Sequence, residues 1–383
     1  MPTPRKYTDD EFLAALQKHG SQRATARALG VAQSGVNRRA KLLEMRGYAP
    51  QFDMTRPVPE MFDAKGVSTY YNKHGKPTGQ WVKAELNAKR AREAMVQFID
   101  TLKEEVRGLA KPVPKPKPNR HAAARSLSAY IIGDAHFGMY AWAAEAGEDF
   151  DTAIASADLR AAIDLLVAGA PPSKRAFLVD VGDFLHTDDR SNATPASGHP
   201  LDVDTRIQRV RRIAVDALRY CVNRMLEKHD VVELFQAPGN HNPESAGWMA
   251  AVLEAYFENE PRVRVETSPA YYYYARHGRC LIGITHGDKA KMPDLPGIMA
   301  VDRAKDWGDT EYRYWWTGHI HHTRHQEYRG AFVESFNTLA ASDAWHHSSG
   351  YRSARQMQRI DLDSEYGIYN RGIASLRRIR GKA

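Results

Sequence analysis

The sequence predicts an α/β fold behind a small, basic helical domain, and three observations lead there. From residue 126 onward, five short apolar runs each end in a tight glycine-containing polar cluster, with helix-patterned segments between them. Strands alternating with helices build sheets whose functional groups gather at the carboxyl ends of the strands. Ahead of these runs, residues 111–118 read KPVPKPKP. Alternating proline blocks helix and sheet pairing and favours an extended spacer, which repelling lysines lengthen. The third observation is charge: residues 1–125 hold 24 Lys+Arg against 12 Asp+Glu, and residues 126–383 hold 30 against 34. The net charge of +8 is thus +12 on the front third and −4 on the remainder. Such asymmetry suggests that the front end meets a polyanion, unless it is simply a solvated basic surface.

The chain has 383 residues, room for two or three domains of roughly 150 residues. The expected division is a helical domain at 1–50, a hairpin and basic helix at 51–110, a Pro/Lys linker at 111–125 and the α/β domain at 126–383. A hydrophobic share of 43% with 26% charged residues excludes a wholly disordered chain. Two cysteines, Cys221 and Cys280, exclude a disulfide framework and fit a reducing compartment. No apolar run reaches the ~18 residues of a membrane span, and the start lacks the apolar centre of a signal peptide. The expectation is a cytoplasmic protein with no membrane partner.

Thr8 and Glu11 have the spacing of a capping box, Phe12, Leu13 and Leu16 form an apolar stripe, and Gly20 ends that helix. Ala26, Gly30 and Val36 then follow at intervals of four and six residues. The glycine permits a positive φ and the alanine lets two helices approach closely. This spacing resembles a helix-turn-helix DNA-binding unit. The resemblance implies that Gln33, Ser34, Asn37, Arg38 and Lys41 face outward toward base edges or phosphates, with DNA as partner. Residues 66–83 read as a β-hairpin, either a wing or a separate element. Residues 84–109 read as a basic helix that couples domains or mediates homo-oligomerisation.

The five clusters are Gly133-Asp134-Ala135-His136, Gly182-Asp183 with His186, Gly239-Asn240-His241, His286-Gly287-Asp288, and Gly318-His319-Ile320-His321-His322. Helical patterns at 158–168, 204–228 and 248–258 separate the strands. If every cluster sits at a carboxyl strand end, residues nearly 190 positions apart share one pocket. Carboxylate, imidazole and amide oxygen together suit manganese, iron, zinc or cobalt, without the sulfur of a structural zinc site. Seven such donors suit two divalent ions sharing one carboxylate. Ions roughly 3.5–4 Å apart can activate water and stabilise attacking and leaving oxygens at phosphorus.

The order and strand-end placement of these motifs resemble the calcineurin-like metallophosphoesterase superfamily over residues 126–322. The resemblance implies a β-sandwich flanked by helices. It also implies a first metal held by Asp134, His136 and His321, a bridging Asp183, and a second metal held by Asn240, His286 and His319. Manganese is the foremost cofactor it suggests. His241 would contact phosphate and support the leaving group, a role that suits an imidazole. The expected chemistry is direct in-line hydrolysis by hydroxide, without a covalent intermediate.

Protein phosphatases of that superfamily carry GDxVDRG, whereas here His186 and Thr187 stand where the Asp-Arg pair belongs. The segment GDFLHTDDRSNATP more closely resembles that of SbcD-type repair nucleases, which implies that His186 lies close to the metals and assists DNA cleavage. Phe184 and Leu185 are exchanged relative to that pattern. In the polar loop 188–204, Asn192, Thr194, Ser197 and His199 are candidates for substrate contact. Arg206, Arg209, Arg211 and Arg212 read as an exposed basic helix face, and residues 271–274 as a strand. His322, His325, His346 and His347 are not assigned as ligands. The expectation is a metal-dependent DNA phosphodiesterase. Alternatives are a DNA-binding regulator acting on a small nucleotide, and a phosphomonoesterase. A helix-turn-helix joined to a phosphoesterase also resembles proteins of phages and prophages.

Overall fold

The computed structural model describes residues 7–45, 62–110, 113, 124–342, 350 and 353–381. The expected linker lies almost wholly outside the described residues, as do His346 and His347. The chain forms two compact units, Met1–Thr101 and Leu102–Ala383.

The first unit opens with helices α1 (Asp9–His19), α2 (Gln22–Leu29) and α3 (Gln33–Met45). Thr8 and Glu11 form the capping box, and Gly20 closes α1 in the left-handed conformation. Gly30 takes φ 61° and ends α2, so the chain turns into α3 within three residues. Phe12, Ala26, Val36, Ala40 and Leu43 form one buried cluster across the three helices. Strands β1 (Phe62–Tyr71) and β2 (Pro77–Leu86) pair as an antiparallel hairpin, followed by α4 (Ala88–Val106). The end of α4 belongs to the second unit, where Leu102 is buried and the Gly108 N–H donates to the Ala255 carbonyl at 3.0 Å.

The second unit continues with β3 (Ser126–Ile132), α5 (Ala143–Ala146), α6 (Thr152–Ala168), β4 (Arg175–Asp180), α7 (Ile207–Leu226), β5 (Val231–Gln236) and α8 (Pro243–Tyr256). Then come β6 (Val263–Val265), β7 (Tyr273–His277), β8 (Cys280–Ile284), α9 (Leu295–Asp302), α10 (Ala304–Asp309) and β9 (Tyr312–Thr317). It closes with β10 (Arg324–Tyr328), β11 (Ala331–Ser335), β12 (Gln356–Asp363), β13 (Gly367–Ser375) and a terminal turn of helix, α11 (Leu376–Ile379). The helix expected at 158–168 starts a turn and a half earlier, because the Asp151 carboxylate accepts the Ile154 N–H at 2.7 Å and caps it. Of residues 271–274, only Tyr273 and Tyr274 lie in a strand.

Six strands form one sheet in the order β13-β12-β3-β4-β5-β6, and five form a second in the order β10-β11-β9-β8-β7. β3 to β6 run parallel, as do β8, β9 and β11. The sheets pack face to face, giving the β-sandwich. Strand alternation fills its interior: Leu127, Ala129 and Ile131 from β3 meet Ile282 and Ile284 from β8 and Tyr314 and Trp316 from β9. Burying each leucine or isoleucine among them stabilises by roughly 1.5–3 kcal/mol. The opposite faces are covered by helices. Ile132 lines a small internal space with Ala155 and Leu159 of α6, while Leu281, Trp315 and Val333 pack on Leu295 and Met299. Parallel strands send β3, β4, β5, β8 and β9 out of the sandwich at their carboxyl ends, immediately before the five polar clusters. Among the described residues no helix is long and apolar enough to cross a membrane. Both cysteines are buried thiols.

Candidate metal centre

The turns that follow these strands are unusually forced. Asp134, His136, Asp183, His319 and His321 all have left-handed φ, between 33° and 69°. They are five of the six such non-glycine residues among the described residues, the other being Asn192. A side chain in this region costs of order 1–3 kcal/mol and persists only where its surroundings fix it. Glycines supply the room. A Cβ on Gly239 would stand 2.0 Å from Asp183 Oδ1, and one on Gly318 would stand 2.6 Å from Asp134 Oδ2. At these two glycines the backbone lies directly against a carboxylate, whereas a Cβ on Gly133 would meet the Asn337 carbonyl at 2.4 Å and one on Gly182 the His286 ring at 2.5 Å.

The backbone also aims the side chains. Asp134 Oδ1 accepts the His319 N–H at 2.8 Å, and Asp183 Oδ1 accepts the His241 N–H at 2.8 Å. His286 Nδ1 donates to the Val181 carbonyl at 2.9 Å, which fixes the tautomer and turns Nε2 inward. That Nε2 stands 3.0 Å from Asp183 Oδ2 and 3.0 Å from Asn240 Oδ1. His241 Nδ1 donates to the His186 carbonyl at 2.9 Å, leaving its Nε2 as the outward atom.

Three groups of side chains have ligand atoms within 4.8 Å of one another: Asp134 with His136 and His321, Asp183 with His286 and His319, and His136 with His186 and His241. The first holds the three residues expected at one ion; the second holds His286 and His319 of the other expected set together with Asp183, and Asn240 adjoins it through His286. His136 lies between His321, at 3.2 Å from Nε2 to Nε2, and His186, at 3.2 Å from Nδ1 to Nδ1.

The donor set fits divalent cations. Asp134 Oδ2 is buried without a hydrogen-bond partner, and an unmet buried carboxylate oxygen is costly. Burial disfavours a charged His286, yet Asp183 and Asp134 outweigh it and hold the ring up at about 10. Burial likewise opposes ionisation of Asp183, but His286 and then His241 hold its carboxyl well below the usual range. His321 is raised, burial being outweighed by Asp134, while burial and the neighbouring His286 lower His319. A cation between these groups would meet the same demand for positive charge.

Several residues outside the expected set complete the site. Asp180, the last residue of β4, is fully buried; burial raises its carboxyl well above the usual range and favours the neutral acid, whose Oδ1 accepts the Gly182 N–H at 3.0 Å. Gln236 stands opposite it in register at the end of β5, buried with neither amide atom hydrogen-bonded. Thr338 Oγ1 donates to the Asp134 carbonyl at 2.7 Å. Asp180 and Gln236 are polar residues at the ends of mainly apolar strands, a signal the sequence does carry. Thr338 follows no motif.

One expectation needs correction. Arg211 is not on an exposed face: it is 4% exposed, donates to the Asp188 carbonyl at 2.6 Å and stacks over Trp248. Arg206, Arg209 and Arg212 are exposed, because one residue of a helical run must point inward. Of the loop candidates, Thr194 and Ser197 bond each other at 2.5 Å, Thr194 also accepts the His199 N–H, and Asn192, Ser197 and His199 are exposed. Asp188 accepts the Glu244 and Ser245 N–H groups at 3.0 and 2.8 Å and anchors the start of α8 next to His241. His322 and His325 are exposed and belong to none of the three groups. In the first unit, Gln33, Ser34, Asn37, Arg38 and Lys41 are all exposed on α3, whereas Val36, Ala40 and Leu43 are buried.

No protein-family model matches the chain, and no curated protein matches it. Among solved structures, it is similar to Vps29 complexed with zinc from Entamoeba histolytica, at 11% identity over 65% of this chain and 98% of that one, with a TM-score of 0.27. It is similar also to a conserved uncharacterized protein, described as a predicted phosphoesterase, from Streptococcus pneumoniae, at 10% identity over 65% and 98%, with a TM-score of 0.27. PhoD is similar at 7% identity over 69% and 70%, with a TM-score of 0.32. The functional reading rests on the residues of this chain.

Proposed function

We propose that the chain is a two-metal-dependent phosphodiesterase acting on nucleic acid, with a helix-turn-helix DNA-binding module in its first unit. The observation that carries the metal-dependent phosphoesterase reading is the convergence of Asp134, His136 and His321 with Asp183, His286, His319 and Asn240, most of them in left-handed conformations. Support for the DNA part comes from the +12 front third and the five exposed polar residues of α3.

Asp134, His136 and His321 would hold one ion, Asn240, His286 and His319 the other, and Asp183 would serve both. Bound divalent ions, manganese foremost, supply Lewis acidity toward phosphate oxygens and lower the pKa of water. The protein groups then do three things. Val181 and Val181's neighbour Gly182 fix the direction of His286 and the room around it. The His319 and His241 N–H groups hold one oxygen of Asp134 and of Asp183; the other oxygen of Asp134 has no hydrogen-bond partner and that of Asp183 faces His286 Nε2, where a cation would stand between them. His241, held through Nδ1 by the His186 carbonyl, presents Nε2 to give a proton to the departing alkoxide. Removing such a group typically slows catalysis 10²–10⁴-fold.

The test offers purified protein with Mn²⁺ single- and double-stranded DNA, a bis-aryl phosphodiester and an aryl phosphomonoester. DNA cleavage that is lost on chelation and in Asp183→Ala supports the reading. Cleavage of the monoester alone would replace it with a phosphomonoesterase.

A further inference from the structure

The hairpin of the first unit has two unlike faces. Val67, Thr69, Gln80 and Val82 are half-buried on one, whereas Ser68, Tyr70, Trp81 and Lys83 are exposed on the other. Trp81 and Tyr70 are each 79% exposed, the extent to which their rings meet solvent rather than protein. Trp81 pairs with Ser68, and Tyr70 pairs with Gly79, two residues before Trp81. The two rings are therefore diagonal neighbours on one strand pair, with Cα atoms roughly 7–8 Å apart. Ser68 and Gly79, the residues opposite them, are too small to cover either ring.

Charge narrows the choice of occupant. The acids of the hairpin are already engaged: Arg90 and Asn87 hold Asp63, and Lys65 holds Glu85. Lys73, Lys76 and Lys83 are exposed and make no ion pair among the described residues. Lys83 shares the aromatic face, and Lys73 and Lys76 flank the turn beside Tyr70. Bare aromatic faces within a ring of unpaired lysines match an anion that carries planar groups. They match neither an apolar partner, which would desolvate the lysines, nor a duplex, whose base faces are already stacked.

We propose that Trp81 and Tyr70 form a base-stacking platform for unpaired nucleotides of a single-stranded polynucleotide, with Lys73, Lys76 and Lys83 facing its phosphates. This rests on the nucleic-acid reading above and adds a second, structurally separate contact beside α3. Stacking on an aromatic side chain tolerates any base and gains affinity at each ring.

The test titrates full-length protein, in chelator and at low salt, with a labelled oligodeoxythymidine and with a labelled duplex. Trp81→Ala is expected to weaken oligodeoxythymidine binding roughly five- to tenfold, with Trp81→Phe restoring most of it and Tyr70→Ala acting similarly. Duplex binding should change less than twofold in these variants and fall with Arg38→Ala. Unchanged oligodeoxythymidine affinity in Trp81→Ala, with duplex binding intact, overturns the platform alone. Failure of the wild type to bind either nucleic acid overturns the nucleic-acid reading with it. A change of sedimentation mass in Trp81→Ala would also overturn the proposal, since the rings would then face a second copy of the chain.

Discussion

His286 Nε2 stands 3.0 Å from Asp183 Oδ2, and its other ring nitrogen is committed to the Val181 carbonyl. The pair joins one of the two ligand groups and demands a positive charge between its atoms. Added Mn²⁺ should therefore stabilise the second unit. At about a hundred times its dissociation constant, a ligand adds about 2.7 kcal/mol, which for a unit of this size is a rise of roughly 5–10 °C. Thermal melts with and without Mn²⁺ measure it. Asp183→Asn should lose most of the rise, and a wild-type melt indifferent to Mn²⁺, Zn²⁺ and Co²⁺ would remove the metal centre.

Gly239 offers a test that changes no ligand. Its Cβ, if present, would meet Asp183 Oδ1 at 2.0 Å and Asp183 N at 2.4 Å, neither of which can move without unseating the His241 contact. Gly239→Ala is expected to abolish phosphodiesterase activity and the metal-induced rise in melting temperature, and to cost at least ~2 kcal/mol of stability. Gly247, with open space around it on α8, is the control: Gly247→Ala should retain activity and gain a little stability. Equal behaviour of the two variants in activity assays would contradict the packing argument.

His241 separates leaving-group assistance from metal binding. Its backbone N–H, which holds Asp183, survives substitution of the ring. His241→Asn should keep metal stoichiometry by elemental analysis. It should lower kcat roughly 10²–10⁴-fold on DNA, whose alkoxide leaves poorly, and much less on an aryl ester. An equal loss on both substrates would instead assign the ring to binding or positioning.

The convergence of these side chains is legible in the sequence because each cluster carries a glycine at the end of an apolar run, and parallel strands make that position common ground. The buried carboxyl of Asp180 is harder to see, since it belongs to the strand and only its register against Gln236 marks it as interior. Arg211 is misread for the opposite reason. Four arginines within seven residues look like a charged surface, and nothing local says that the Asp188 carbonyl and the Trp248 ring wait for one of them. Helix starts are legible where a capping box exists, as at Thr8, and shift where the cap is a lone Asp151.

Arg38 and Arg39 are adjacent in α3 but differ in what they touch. Arg38 is exposed, whereas Arg39 binds Asp9 at 3.1 Å, donates to the Tyr7 carbonyl at 2.9 Å and covers the Phe12 ring. Arg39→Ala should destabilise the three helices, read as earlier loss of helical circular dichroism. Arg38→Ala should leave the melt unchanged and lower the slope of log affinity for duplex DNA against log salt by about one. The reverse pattern would place the DNA contact elsewhere.

His229 supplies a pH dependence independent of metal. It is fully buried between Tyr130, whose hydroxyl lies 2.8 Å from Nε2, and Ser173, whose hydroxyl lies 2.8 Å from Nδ1. Burial lowers its pKa from 6.5 to about 4. Between those values the unfolded chain binds the proton and the folded one does not, so stability rises with pH across that window. The contribution is complete above about pH 6.5 and is lost as the pH falls toward 4, amounting to about 3 kcal/mol. Urea unfolding of metal-free protein at several pH values measures it against His229→Gln, which cannot titrate. The variant should be less stable than wild type at pH 7.5, because its amide fits the two hydroxyls less well, and the gap should narrow steadily below pH 6.5. A gap that stays constant down to pH 4.5 would mean that the proton taken up on acid unfolding goes to some other group.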